Sequence, residues 1–238
     1  MRKHRTKEQK FLVEGERAVE QVLTNGLIEV ESIFIKPSKL DHFSSIHRKM
    51  HLLENDAFAE ISDTETPQGI IAVCTMPEEK SLKDLAGQKG LIVAVDGIQD
   101  PGNLGTIIRT AVWYGAGALL LGSGSVDVYN PKVVRSTAGA TGVIPVCSGN
   151  LNDMLSYLEQ HEWQTLLLDA NEGAEAIQFL KPYPKNILVA GNEANGIDRE
   201  LLTPERKRVV LPSATPQQHV ESLNAGVAMS IALALVHN

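Results

Sequence analysis

The sequence predicts an α/β protein built around a parallel sheet, and three observations carry that reading. Short apolar runs such as LIVAV, ALLLG and NILVAG recur through the last two thirds of the chain, as expected of strands buried on both faces. Stretches with helical apolar spacing separate them, which is the alternation that builds a parallel sheet. The turns after several of these runs are rich in Gly, Asn and polar residues, and in open α/β sheets ligands bind beyond the carboxyl ends of the strands.

Taken in order, residues 11–23 (FLVEGERAVEQVL) place Leu12, Ala18, Val19 and Val22 at helical spacing. Two β-like runs follow, VESIFIK and GIIAVCTM, separated by polar stretches that contain proline. The segment MPEEKSLKDLAGQKG, residues 76–90, is charged, with Pro77 and two glycines. It is the expected boundary between a small N-terminal domain and the remainder. Beyond it the pattern becomes regular. LIVAV reads as a strand, DGIQDPGN as a turn and LGTIIRTAVWYG as a helix. ALLLG, VIPV, QTLLLDA, NILVAG and RVVLP read as further strands. PKVVRSTAG, LNDMLSYLEQH and a final SLNAGVAMSIALALV read as helices.

At 238 residues the chain can bury a sizeable core, and 43% hydrophobic with 21% charged residues is ordinary for a globular protein. Cys74 and Cys147 stand far apart, with no CxxC pair and no histidine at metal spacing. That pattern fits two structural thiols in a reducing cytosol and no metal site. The start, MRKHRTKEQK, leads into a segment broken by acids, so no signal peptide is expected. The apolar run GVAMSIALALV is too short to span a bilayer, and the expected location is cytoplasmic with no membrane partner. A net charge of −7 argues against nucleic acid when taken as a sum. Binding depends on local patches, however, and Arg2, Lys3, Arg5, Lys7 and Lys10 cluster at the start, with Lys132, Arg135 and residues 206–208 later.

Three turns are candidates for chemistry. In the first, residues 96–117, Asp100, Pro101, Gly102 and Asn103 start a helix that carries Arg109 six positions later. The GxGxxG spacing of a dinucleotide site is absent, and no acid closes the following ALLLGSGS strand, which argues against a nicotinamide dehydrogenase. Taken in isolation, Arg109 reads better as a snorkelling or salt-bridged helix residue. In the second turn, residues 188–198, a strand ends at Gly191, and Asn192, Glu193, Ala194, Asn195 and Gly196 make a tight loop. Its glycines let backbone approach a flat ligand closely, although Asn-Gly is also a common turn and Glu193 could serve as a helix N-terminal acid. In the third, residues 209–229, a strand ends at Pro212 and Ser222, Leu223 and Asn224 open an apolar helix. Ser222 is a suitable N-cap, whereas capping alone does not call for Asn224 two positions inside such a helix.

Together and in this order, the three turns resemble one family, the SpoU branch of the SPOUT methyltransferases, across residues 11–236. The matching residues are Asn103, Gly105 and Arg109; then Gly191, Asn192, Glu193 and Gly196; then Pro212, Glu221, Ser222, Leu223 and Asn224. VEGERAVEQVL and TPQGIIAV resemble the family's small RNA-binding domain, similar to a ribosomal-protein L30e-type fold. The resemblance implies an RNA substrate-binding domain over 1–78, a linker over 79–90 and a methyltransferase domain over 91–238 closed by a deep trefoil knot. It also implies a homodimer with the active site near the subunit interface. S-adenosyl-L-methionine is the implied cofactor, held mainly by backbone near Gly191, Leu211 and Leu223, with Asn192 and Gly196 in the same loop. Three departures stand out: SATPQQHV is longer than the family's usual connection, Ala194 replaces a common glycine, and STAGATGVIPV lacks the bulky residue often found before its proline.

The implied reaction is methylation of a ribose 2′-OH in structured RNA, with ribosomal RNA favoured over transfer RNA by the N-terminal domain. Arg109 is the implied activating group. Its pKa above about 12 makes it a poor base, so stabilising the developing alkoxide is the role expected of it. Asn103, Glu193, Ser222 and Asn224 would position Arg109, ribose and cofactor, with no metal. A transfer RNA methyltransferase and a non-catalytic RNA-binding or ribosome-assembly factor remain the alternatives.

Overall fold

The computed structural model describes residues 2–44, 48–170, 173–181, 183–214 and 222–236. They form two compact units, one of Met1–Glu78 with Asp127–Val143 and one of Glu79–Val126 with Ile144–Asn238.

The first unit opens with α1 (Arg2–Glu8), β1 (Lys10–Glu14), α2 (Glu16–Asn25) and β2 (Val30–Ile35). β3 (Met50–Leu52), α3 (Asn55–Ile61) and β4 (Ile70–Thr75) follow. The sheet order is β1-β4-β2-β3, antiparallel except for the β2–β3 pair. The helix expected over 11–23 is two elements. In KFLVE the burial alternates, with Phe11 and Val13 inside and Leu12 exposed, which is the period of a strand. Gly15 then takes φ +106°, a conformation closed to most residues, and the helix begins after it. Ala18, Val19 and Val22 of α2 pack on Phe11, Val13, Ile33 and Ile70.

The second unit begins with α4 (Leu82–Ala86), β5 (Gly90–Val95), α5 (Pro101–Trp113) and β6 (Ala118–Gly122). After α6 (Pro131–Ser136), which belongs to the first unit, come β7 (Val146–Gly149), α7 (Leu151–Glu159), β8 (Gln164–Leu168) and β9 (Glu175–Ala176). β10 (Lys185–Ala190), β11 (Lys207–Val210) and α8 (Ala225–Val236) complete it. All seven strands are parallel, in the order β7-β6-β5-β10-β8-β11-β9. One face of the sheet, with Ile92, Ala94, Leu120, Leu167 and Val189, packs on Leu151, Leu155 and Leu158 of α7. The alternate residues Val93, Leu119, Leu166 and Leu188 are also buried, and must face the other way. Burial on both faces is why these strands read as continuous apolar runs.

Two expected boundaries differ from the structure. Residues 79–90 are not a free linker: Ser81 and Asp84 form a capping box for α4, and Leu85 and Ala86 enter the second unit's core. Residues 127–143, expected within the methyltransferase domain, cluster with the N-terminal residues instead. Val134 of α6 lies in the same core as Phe11 and Val13. The expected VIPV strand starts only at Val146, after Pro145, which has no N–H to give to a ladder.

Candidate active site

The carboxyl ends of β5, β10 and β11 share one edge of the parallel sheet, and the loops leaving them carry the residues singled out above. After β5, Asp100 caps α5 by accepting the Asn103 N–H at 2.8 Å. Pro101 sits at the first helical position, where a missing N–H costs nothing. This places Asn103 on the inner face of α5, 9% exposed.

The buried Asn103 amide joins the other two loops. Its Nδ2 donates to Glu193 Oε1 at 2.8 Å, and its Oδ1 accepts from Asn224 Nδ2 at 2.7 Å. One side chain from each motif therefore meets in a single hydrogen-bonded chain, Glu193–Asn103–Asn224. A buried amide pays the cost of desolvation unless both ends are satisfied, and here both are.

The loop after β10 is braced from within. Asn192 donates from Nδ2 to the Gly97 carbonyl at 2.7 Å, and its Oδ1 accepts the Ala194 and Asn195 N–H groups at 3.0 Å each. Its backbone exchanges a pair of 2.9 Å bonds with Gly196. The Asn192 side chain is thus a brace for the loop. Gly191 has a comparable internal reason: a Cβ there would overlap the Gly196 carbonyl and the Ile197 nitrogen. The close approach that its glycine permits is that of the chain's own backbone. Gly196 takes φ +71° with open space at its Cβ position, and Ala194 is not at positive φ.

Two residues that sequence reasoning missed tie this loop to β5. Asp96 accepts the Asp198 N–H at 2.7 Å, and Gly97 supplies the carbonyl that holds Asn192. Partial burial raises the Asp96 carboxyl above its usual range, the Asp198 amide bond opposes that, and the Asp198 charge adds to it. An acid following a wholly apolar strand, as in LIVAVD, is the signal that could have found them.

In the third motif, α8 starts one residue after Asn224. Asn224, not Ser222, is the residue that caps it: Oδ1 accepts the Val227 N–H at 3.2 Å and the carbonyl accepts Ala228 N–H at 2.8 Å. Asn224 therefore lies outside the helix, where its poor propensity is irrelevant. Ser222 and Leu223 are exposed, with no hydrogen bond of theirs among the described residues. Leu211 is half-buried at the end of β11. Glu221 and most of the 213–220 loop lie outside the described residues.

Arg109 stands apart from the Asn103 network. Six residues of helix carry it about 9 Å along the axis and to another face. It is exposed there, with no ion-pair or hydrogen-bond partner among the described residues. Gly102, Thr106 and Trp113 share that exposed face, Trp113 at 83%. Beside it α8 packs on α5, with Thr110 and Ser230 hydroxyls 3.0 Å apart. Along α8, Val227, Ile231 and Leu235 are exposed at four-residue intervals, and Leu223 precedes them in step.

Against known families, residues 90–234 match the SpoU rRNA Methylase family, and residues 1–72 match an MRM3-like substrate binding domain. The chain belongs to the SpoU rRNA methylase family. It is 36% identical to the Bacillus subtilis 23S rRNA (guanosine(2553)-2′-O)-methyltransferase RlmP, over 97% of this chain and 89% of that one. A TrmH-family putative RNA methyltransferase from Porphyromonas gingivalis superposes with a TM-score of 0.83 at 31% identity, covering 99% of this chain and 92% of that chain. An AdoMet-bound rRNA methyltransferase from Sinorhizobium meliloti gives a TM-score of 0.84 at 25% identity, covering 99% of this chain and 90% of that chain.

Proposed function

We propose that this protein transfers the methyl group of S-adenosyl-L-methionine to a ribose 2′-hydroxyl in 23S-type ribosomal RNA. The observation that carries the reading is the Glu193–Asn103–Asn224 chain, which draws the three family motifs to one edge of the sheet. The similarity to the RlmP methyltransferase over nearly the whole chain supports ribosomal RNA as substrate.

The residues present suit the cofactor. An adenosine needs apolar contact and main-chain polar groups; Leu211 is half-buried and Leu223 exposed, and both would offer it apolar side chains. The bound cofactor would supply an activated methyl group on sulfonium, so no metal is needed. Among the described residues no group of three His, Cys, Asp or Glu could hold one. Gly191, Gly196, Leu211 and Leu223 would hold the cofactor, and Asn192 would keep their loop in shape. Arg109 would bind the RNA near the target phosphate and stabilise the oxyanion forming at the 2′-oxygen. Glu193, Asn103 and Asn224 would orient the loops, and Ser222 would contact ribose or cofactor. The 2′-proton would leave to phosphate or water.

A homodimer belongs to the same proposal. The stripe Leu223, Val227, Ile231 and Leu235 is apolar surface of the kind that marks interfaces. Arg109 and Trp113 are exposed on α5, the helix that α8 packs against, which fits a site completed at the subunit interface. We also assign the C-terminal segments the family's trefoil knot and the N-terminal unit its L30e-type, RNA-binding role. The substrate-binding family match over residues 1–72 supports the latter. A cytoplasmic location fits two buried free thiols. No helix among the described residues is long and apolar enough to cross a membrane.

The test is methyl transfer from radiolabelled S-adenosylmethionine to 23S RNA and to total transfer RNA, followed by mapping of the 2′-O-methylated nucleotide. Methylation of one 23S position is expected. Methylation of transfer RNA alone would move the substrate, and absence of cofactor binding by calorimetry would leave a non-catalytic RNA-binding factor.

A further inference from the structure

The first unit holds a feature that the methyl-transfer chemistry does not use. A cleft of about 670 Å³ opens between the β1–α2 turn, the loop at residues 62–68 and the end of α6. Its volume lies within the roughly 300–1,000 Å³ of small-ligand sites. Arg17 and Ala18 line one side, Thr64, Thr66 and Gln68 another, and Arg135 and Ala138 the third.

The acids on the wall are already engaged. Glu14 accepts hydrogen bonds from the Ser62 hydroxyl, the Thr64 hydroxyl at 2.8 Å and the Asp63 N–H at 3.3 Å. Glu16 is paired with Lys39 at 2.6 Å. Arg135 reaches Asp63 at 3.2 Å in an exposed pair, which water and salt weaken. Arg17 is exposed and has no partner among the described residues. Arg17 is thus the lining cation left without a partner, while Glu14 keeps its charge among neutral donors. Gln68 uses its Oε1 to accept the Glu16 N–H at 2.9 Å, which leaves its amide N–H groups to donate outward. Thr66 is exposed, with no hydrogen bond among the described residues.

The third wall is held in a costly shape. Ala138 has φ +50°, a conformation that side chains other than Asn and Asp seldom adopt. The next residue, Gly139, has φ +93°, and a Cβ there would stand 2.7 Å from Gln21 Cβ and 3.1 Å from the Ala18 carbonyl. The buried hydroxyls of Thr137 and Thr141, 2.7 Å apart, lock the same turn. Strain fixed by its surroundings concentrates at functional sites. This turn is the STAGATG stretch, drawn from the middle of the chain into the N-terminal unit.

Building on the RNA-methylating role, we infer that this cleft receives one unpaired nucleotide of the substrate RNA. Arg17 and Arg135 take its phosphate and offer guanidinium planes for stacking, while Gln68 and Thr66 meet the base edge. Single-stranded bases are read in this way, by stacking on planar groups and hydrogen bonding to exposed edges.

The experiment uses the full-length protein and the 23S fragment it methylates. Arg17→Ala removes an exposed side chain without a partner and should leave the fold intact. Arg17→Ala and the Arg17→Ala/Arg135→Ala pair should raise the RNA Kd and the KM for RNA by about tenfold and a hundredfold, about 1–3 kcal/mol at roughly 1.4 kcal/mol per tenfold. The log–log salt dependence of RNA binding should become shallower by about one for each phosphate that an arginine no longer neutralises. S-adenosylmethionine affinity, measured by calorimetry, should hold, and Arg17→Lys should recover part of the RNA affinity. RNA affinity within twofold of wild type for the double variant would overturn the cleft assignment alone. Wild-type protein that methylates no RNA would instead overturn the proposed function.

Discussion

Arg109 and Asn103 lie on one helix but do different work. Asn103 is buried with a partner at each end of its amide, a structural link between loops. Arg109 faces solvent without a partner among the described residues, which leaves its five N–H donors for a ligand. Arg109→Lys keeps the charge but loses the planar fork. It should lower kcat by at least about a hundredfold, the scale of losing one oxyanion donor, with S-adenosylmethionine affinity within a few-fold by calorimetry. Activity close to wild type would remove Arg109 from the chemistry. Asn224 allows its two duties to be separated. Asn224→Asp keeps the oxygen that caps α8 but loses the N–H given to Asn103, whereas Asn224→Ala loses both. Thermal melts should show Asn224→Ala destabilised by about 1–2 kcal/mol and Asn224→Asp by less, with both variants weakened in cofactor binding. Equal melting losses would argue that the cap contributes nothing. Asp96 makes a pH-dependent prediction. Burial raises its folded pKa above the unfolded value, so the stability it contributes is fully present at low pH and is lost as pH rises through the folded pKa. Asp96→Asn, an uncharged acceptor for Asp198, should melt higher than wild type at pH 7, with the two converging towards pH 4. A variant that melts lower than wild type, by a margin that grows as pH rises, would mean that the carboxylate's bond to Asp198 outweighs its burial.

At the scale of elements, α8 shows why a helix can be apolar on every side. Gly226, Met229, Ala232 and Leu233 are buried within the unit, while Val227, Ile231 and Leu235 face outward. A surface helix normally carries polar residues on that face, so a second apolar surface is expected over it. Val227→Lys with Ile231→Lys should convert the proposed dimer to monomer in size-exclusion chromatography with light scattering, and methyl transfer should fall with it. Wild-type protein that runs as a monomer would refute the proposed dimer. The elements also mark where periodicity misleads. KFLVE and ERAVEQV carry different periods, two and 3.6, and only the break at Gly15 separates them. Residues 82–86 were hidden by their charges, because a five-residue helix shows too little periodicity to stand out.

At the scale of the whole molecule, each unit has its own apolar core, and the two cysteines fall in different ones. Burial alone pushes the Cys74 thiol up to about 12, which leaves about one thiolate in ten thousand at pH 8. Native protein at pH 8 should leave Cys74 unlabelled by a thiol reagent, and denaturant should expose it. Rapid labelling of native Cys74 would show that the first unit opens readily.

The sequence by itself determined the parallel α/β unit, the succession of its main strands along the chain and the three loops that define the family. Each of those is written in local pattern: continuous apolar runs, helical spacing, and Gly or Asn at turns. Tertiary structure alone decided which residues touch. Glu193, Asn103 and Asn224 lie up to 121 positions apart in the chain, and their bonds arise only when β5 and β10 are paired and α8 is packed on α5. The same holds for Gly191, whose missing side chain makes room for the chain's own backbone, and for residues 127–143, which leave their neighbours in sequence to join the N-terminal core. Periodicity reports which face of an element is buried, whereas the partner on the other side of that face is a property of the folded chain.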